Sequence, residues 1–285
     1  MKNDRTPHAI SNSLRLIRTL FKGTFLVVEG ETDERVYKRF KTSDESCRLI
    51  LAYDKDKALE VLRILGKDGF MGLLVIVDAD FWRLEGKKPD SINLLLTDTH
   101  DLETMILSNS QVMPKILEEF GSRERIKRLK KPVMDLMIEG TLPLGILRWL
   151  SSSSRDNLRF QFKELDVENF IDKRNLRIDL DQLIEFMIER RKDLKIEKAA
   201  VKKRFAEFEK ENPDPWQVCS GHDMIRVLTV GLLSLFGNKK AKYLTAEVLE
   251  GSVRMSYEYI DFKNTRLYRA IRDWERAHPP FQVLE

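Results

Sequence analysis

The run LLVIV at Leu73–Val77, stopping abruptly on Asp78, most restricts how this chain can fold. Five apolar residues without alternation, three of them β-branched, describe a strand covered on both faces. Such strands belong to parallel sheets sandwiched between helices. Thr24–Val28 (TFLVV) and 48–53 (RLILAY) share this character, and 92–96 makes a fourth run. Between them the period becomes helical. Val36, Tyr37 and Phe40 share one face of 33–40; Leu59, Leu62 and Leu65 share one face of 56–65, with Gly66 as the expected stop. The β-α-β-α-β order predicts an α/β fold, a Rossmann-like layer with a parallel sheet.

After about residue 108 the pattern turns helical: Val112–Phe120, 122–130, 133–139, 144–150, 181–191, a charged run 194–210, then 222–236, Ala246–Ser256 and 265–277. Residues 159–162 could add a short strand. The serine run 151–154 and the Asn-Pro-Asp-Pro turn 212–215 are the best linker signals. This divides the chain into an α/β catalytic domain over 1–110, opened by an N-terminal helix, and a mainly helical region over 111–285, expected to make nucleic-acid or partner contacts and to dimerise. Charge follows the same division. The 50 basic and 46 acidic residues give a net charge of +4, split as 17 basic and 18 acidic before residue 111 and 33 basic and 28 acidic after it.

Some classes fall away at once. Cys47 and Cys219 have no partner cysteine or histidine at ligand spacing, which excludes a zinc knuckle and a disulfide framework and points to a reducing cytoplasm. The N-terminal stretch lacks the apolar core of a signal peptide, and the longest apolar stretch, 227–236, is too short to span a bilayer, so no membrane role is expected.

In a parallel sheet, ligands gather at the carboxyl ends of strands, especially where the winding reverses. The acids fall there: Glu29 after the first strand, Asp78 and Asp80 after the third, Asp98, Asp101 and Glu103 after the fourth. If the first and third strands are neighbours, Glu29 meets Asp78 and Asp80, with no cation in the sequence obviously placed between them. Clustered carboxylates repel unless a positive charge intervenes, and a hard divalent ion with oxygen ligands, Mg2+ (or Mn2+), supplies it. The plainer alternative for each acid alone is a helix cap or turn former.

Two segments carry a resemblance. Phe25-Leu-Val-Val-Glu-Gly-Glu-Thr-Asp33 and Val75-Ile-Val-Asp78-Ala-Asp80-Phe81 resemble the signature motifs of the Toprim fold. Leu96-Thr-Asp-Thr-His-Asp-Leu-Glu103, Ser220-Gly-His-Asp223 and the opening Ile10-Ser-Asn-Ser-Leu-Arg-Leu-Ile-Arg18 are similar to the DUF4435 proteins, relatives of the OLD-family nucleases, and in particular to the Toprim effectors of PARIS-type phage defence. The Toprim motifs span about residues 24–103. The resemblance implies that Glu29, Asp78 and Asp80 bind metal and carry catalysis. Asp33 matches a further acidic position, and Asp101 and Glu103 could hold a second ion. It also implies a toxic antiviral nuclease, with tRNA favoured over DNA as substrate, restrained by a separate ABC-type ATPase and acting as a homodimer. The absence of a Walker A pattern fits an ATPase supplied by another chain. One departure is Trp82, which stands where topoisomerases and primases extend the acidic pair, and this favours hydrolysis. The rivals are an OLD-like DNA endonuclease, a non-catalytic Toprim-derived binding module and, more weakly, an Asp-based phosphatase.

Cations and histidines complete the candidates. Lys55 and Lys57 follow the second strand and could meet phosphate on the carboxylate rim, or equally form a solvated helix start. The run Arg123, Arg125, Lys127, Arg128, Lys130 and Lys131, broken only by Glu124, carries a local charge of +5 and could contact nucleic acid, although such runs are usually solvated faces. The segment 263–276 aligns Arg266, Arg269, Arg272 and Arg276 on one helical face. His222 could orient a phosphate or shuttle a proton, or simply belong to a capping segment begun by Ser220 or Asp223. His100 reads as structural.

Overall fold

The structure is a computed structural model that describes residues 6–153, 158–162, 165–191 and 196–285. The chain forms two compact units. The first comprises Met1–Ala79, Lys87–Asp98 and Glu258–Glu285; the second comprises Asp80–Gly86 and Thr99–Tyr257. The boundary therefore does not fall at residue 110: the last 28 residues join the sheet-bearing unit. Neither linker signal separates the units. The 212–215 turn lies inside the second, where Asp214 caps the single helical turn Pro215–Val218. Residues 151–153 also lie in the second, while Ser154 is outside the described residues, as is the expected helix start at Leu194.

The first unit is α/β as expected. Its elements are α1 (Pro7–Arg18), β1 (Thr24–Val28), α2 (Glu31–Phe40), β2 (Cys47–Leu51), α3 (Lys55–Lys67), β3 (Leu73–Val77) and β4 (Leu94–Leu96). The four strands pair in parallel in the order β2-β1-β3-β4. The chain steps from β1 outward to β2, then back across β1 to β3. Right-handed crossovers consequently place α2 and α3 on opposite faces. Helix α1 packs on α3, while α2 meets the C-terminal segment through Phe40 stacked on Phe262 at 5.2 Å and Tyr37 edge-on to Phe262 at 6.1 Å. Both faces being covered, every residue of β1 and β3 is buried. Asp98 helps hold the C-terminal segment: its carboxylate accepts the backbone N–H groups of Arg266 (2.6 Å) and Leu267 (2.8 Å), capping the helix Arg266–Ala277.

The second unit is helical, and three expectations are corrected there. The helices expected at 133–139 and 144–150 are one, Val133–Ser152, running through Gly140 and Pro143. Gly140 is not a break but a notch: a Cβ there would stand 2.5 Å from the Leu176 carbonyl oxygen. The segment 222–236 becomes the α-helix Gly221–Gly231 followed by a π-helical turn, Leu232–Phe236. Residues 159–162 form no strand, since their backbone is tied to a helix end through Arg159 N–H to the Ser151 carbonyl and Phe160 N–H to the Ser151 hydroxyl. Among the described residues no helix is long and apolar enough to cross a membrane.

Two glycines of the first unit offer a paired test. Gly72 enters β3 with φ +68°, and a Cβ there would lie 2.3 Å from the Phe281 ring; Gly66 is helical and a Cβ would meet nothing within 4 Å. Gly72→Ala is expected to destabilise by about 2 kcal/mol or more, and Gly66→Ala to stabilise by up to about 1 kcal/mol, both read from urea unfolding.

Candidate metal and phosphate sites

In the first unit, the parallel register sets Val28 of β1 against Ile76 of β3, so Glu29 and Asp78 leave the sheet side by side at its carboxyl edge. Glu29 Oε1 accepts the Asp78 backbone N–H at 2.7 Å. Lys55, at the start of α3, donates from its ammonium to the Asp78 carbonyl oxygen. Lys55 thus lies on the carboxylate rim as expected, but bonded to the protein there. Lys57 lies 3.3 Å from the carboxylate of Asp54, the residue that caps α3. Asp33 is buried in the first turn of α2 and its Oδ2 accepts the Gly30 N–H at 2.8 Å, closing the helix start. Carboxylate oxygens are the hard donors that Mg2+ or Mn2+ takes, but among the described residues Glu29, Asp78 and Asp80 do not come together as a group of three that could hold a metal ion.

In the second unit, Asp80 has a left-handed backbone (φ +44°), a conformation aspartate tolerates. Its N–H donates to the His100 carbonyl at 2.7 Å. His100 is buried, its Nδ1 3.0 Å from the Gln217 carbonyl and its ring edge-on to Phe81, so it serves as a structural residue.

Asp101 is the N-cap of α4 (Leu102–Leu107): Oδ1 accepts the Thr104 N–H at 2.8 Å and Oδ2 accepts the Gly221 N–H at 2.7 Å. Both oxygens accept backbone N–H groups, so Asp101 closes the start of α4 and ties it to the Gly221 segment. Gly221 fits because it has no side chain; a Cβ would lie 2.3 Å from that of Glu103. Glu103 is buried in the first turn of α4. The two segments together bring His222 to Glu103, and the helix Ala246–Ser256 adds Glu250. Glu103, His222 and Glu250 each bring one donor atom within 4.8 Å of the others.

This cluster already contains charges of both signs. His222 Nδ1 is 3.1 Å from Glu250 Oε2, and the Arg254 guanidinium pairs with Glu250 and lies 3.8 Å from Glu103. Hydrogen bonding to Glu250 pushes the His222 pKa up to about 9; burial opposes this, and the charges of Glu103, Glu250 and Asp101 assist. Burial alone would raise the Glu250 carboxyl, but the bonds to His222 and Arg254 outweigh it and hold the pKa below the usual range. At neutral pH, His222 is therefore an imidazolium. A metal ion binding here has to displace that proton, and the imidazole in the donor set suits Mn2+ or Zn2+ better than Mg2+. Glu250 and Arg254 were not legible as site residues; their only local signal is an i,i+4 pair. The neighbouring Asp223 is buried and bonded to Arg148 Nε at 2.6 Å, a structural ion pair.

The basic run belongs to the second unit as well. The short helix Arg123–Lys127 is capped by Ser122 and has no buried residue. Arg125 Nη1 donates to the Gly237 carbonyl at 3.4 Å, Arg128 pairs with Glu124 at 2.5 Å, and Lys131 pairs with Glu139. Arg123, Lys127 and Lys130 are exposed. Cys47 and Cys219 are buried free thiols. Burial lifts the Cys47 pKa to about 12 and raises that of Cys219, so neither is a nucleophile. Neither protein-family models nor curated proteins give a match to this chain.

In metal-free buffer the His222 ring is expected to titrate near pH 9 by NMR, and Glu250→Gln should bring the midpoint back toward 6.5. Because the folded-state pKa is raised, the stabilisation is complete below about pH 6.5 and is lost as pH rises through about 9. Glu250→Gln should flatten that decline in the pH dependence of thermal unfolding.

Proposed function

We propose that this chain is a metal-dependent Toprim-type nuclease, with Glu29, Asp78 and Asp80 as its catalytic carboxylates. The observation that carries the proposal is the contact of Glu29 with the Asp78 backbone at the ends of neighbouring parallel strands. It joins the two motif acids at the reversal of winding, where parallel sheets bind ligands. Asp80, two residues along the chain, is the third carboxylate supplied by the motif. Bound Mg2+ or Mn2+ would supply charge neutralisation at a phosphodiester and a more acidic water. Glu29, held by the Asp78 N–H, cannot swing away from the strand end, and Lys55 fixes the carbonyl on the other side of the Asp78 α-carbon. The family resemblance extends the proposal to tRNA as substrate, to antiviral defence in the cytoplasm, and to restraint by a separate ABC-type ATPase. For the partner and for a homodimer, the exposed apolar residues Leu16, Leu20 and Met71 of the first unit are available surface.

One observation favours the non-catalytic binding module instead: Asp33, Asp98 and Asp101 all hold backbone N–H groups. A single experiment separates the readings. Purified protein is incubated with total tRNA and, separately, with plasmid DNA, in Mg2+ or in chelator. The proposal expects tRNA cleavage only with the metal, and a loss on the order of 100-fold or more in both Glu29→Gln and Asp78→Asn with folding retained. Plasmid cleavage with the same dependence would assign the DNA endonuclease. Undiminished cleavage in both variants would overturn the metal mechanism, and no metal-dependent cleavage of either substrate would favour the binding module.

A further inference from the structure

A pocket of about 460 Å³ opens in the second unit beside the C-terminal end of the basic run. Its cations come from two distant stretches of chain: Arg128, Lys130 and Lys131 from one side, Arg174 and Arg177 from the other, with Glu139 the single acid among the lining residues. Three of these cations have a carboxylate partner, Arg128 with Glu124, Lys131 with Glu139 and Arg174 with Asp172 at 3.6 Å, but all of these side chains are solvent-exposed, where such pairs are weak and an anion with several separated charges can compete. Its floor is aliphatic, with Leu129, Leu136 and Leu235.

The second pair of arginines is presented by a built turn. Asp172 organises it: Oδ1 accepts the Arg174 N–H at 3.0 Å, Oδ2 accepts the Asn175 amide at 3.0 Å, and its backbone carbonyl accepts the Leu176 N–H at 2.8 Å. The Asp172 N–H returns to the Arg177 carbonyl at 2.9 Å, and Asn175 Oδ1 accepts the Arg177 N–H at 2.9 Å. Between the arginines, Leu176 turns inward in a left-handed conformation, fully buried, against the notches left by Gly140 and Gly231. Anchoring the middle residue fixes where its neighbours emerge. Arg174 and Arg177 are exposed, so the turn is ordered without consuming their charge in the core.

We propose that this pocket binds the phosphate backbone of a nucleic-acid strand. The chemistry favours phosphate, because guanidinium groups hold phosphate oxygens through paired N–H donors. It favours backbone over base, because the described residues that line the pocket include no aromatic ring to stack on a base. It also gives the solvated run 123–131 a second wall that the sequence did not suggest. The ion pair of Lys131 with Glu139 acts as an internal counter-charge that a phosphate displaces. The inference rests on the nuclease reading only for the identity of the strand as substrate; binding itself is tested without cleavage.

The test measures binding of a ~20-nucleotide single-stranded RNA to the full chain in chelator across a salt series. Arg174→Glu with Arg177→Glu is expected to weaken binding about tenfold or more and to lower the slope of log K against log salt by roughly 1 to 2. Glu139→Gln is expected to tighten it a few-fold by releasing Lys131. Arg174→Gln with Arg177→Gln, which adds no repulsion, gives a smaller loss in the same direction and serves if the charge-reversed variant does not fold. Affinity and salt slope unchanged in the folded double variants would overturn the proposal. Equally tight binding of polyglutamate would overturn the assignment to phosphate. Loss of binding in these variants alongside no cleavage by the wild type leaves this inference standing and removes the nuclease reading instead.

Discussion

The parallel pairing of β1 with β3 is the constraint on which the strand-end chemistry depends. Strands buried on both faces cannot slip by one residue without driving a whole set of apolar side chains into the wrong helix layer. With Val28 fixed against Ile76, the residues that follow are fixed too. A carboxylate and a backbone N–H that are 49 residues apart in sequence then meet at 2.7 Å. The sheet does not merely support this contact; its register defines it. The left-handed Gly72 and the closing ring of Phe281 guard the opposite end of β3, where any shift of register would have to begin.

The acids of this chain divide by what their oxygens touch. Asp33, Asp98 and Asp101 accept backbone N–H groups at helix starts, the stabilising use of an acid near a positive helix end. Glu103 and Glu250 instead face side-chain cations. An N–H dipole and an ammonium or guanidinium both relieve a carboxylate, but with different consequences. The capping acids are held in position by the N–H groups they accept. The acids paired with His222 and Arg254 are committed only electrostatically, and a competing cation can replace a proton.

This distinction also marks how much was legible from the chain. Strand β3 was found to the residue, because five apolar residues ending on an acid leave little freedom, and the order of strands and helices followed from the change of period. The juxtaposition of Glu29 with Asp78 was legible once β1 and β3 were taken as neighbours. What could not be read was which acids a helix start would consume, since Asp-x-x-Thr at 101–104 serves a cap and a ligand set equally well in one dimension. The bond from Lys55 to the Asp78 carbonyl was not legible, because nothing local shows that a lysine at a helix start reaches the chain leaving another strand. Gly140 and Pro143 resembled a break because their local propensity is poor. Gly140 sits inside a helix because tertiary packing, the Leu176 backbone seated in its notch, outweighs roughly 1 kcal/mol of propensity at a glycine.

The same notch explains why net charge was a poor guide to partners. A surplus of +5 over residues 111–285 says nothing until the cations already neutralised are set aside. Arg148 is spent on Asp223 and Arg254 on Glu250 and Glu103, while Arg125 is engaged with the Gly237 carbonyl. Where a carboxylate is buried beside its cation, the pair costs desolvation once and then presents little field to solvent. Arg174 and Arg177 are presented differently: the Asp172 turn satisfies its own backbone internally and leaves both guanidinium groups on the surface, Arg174 with its Nε 3.6 Å from the exposed Asp172 carboxylate. Charge that can act on a distant polyanion is therefore produced here by a folding event, the burial of an uncharged leucine between two arginines, and not by the density of basic residues along the chain.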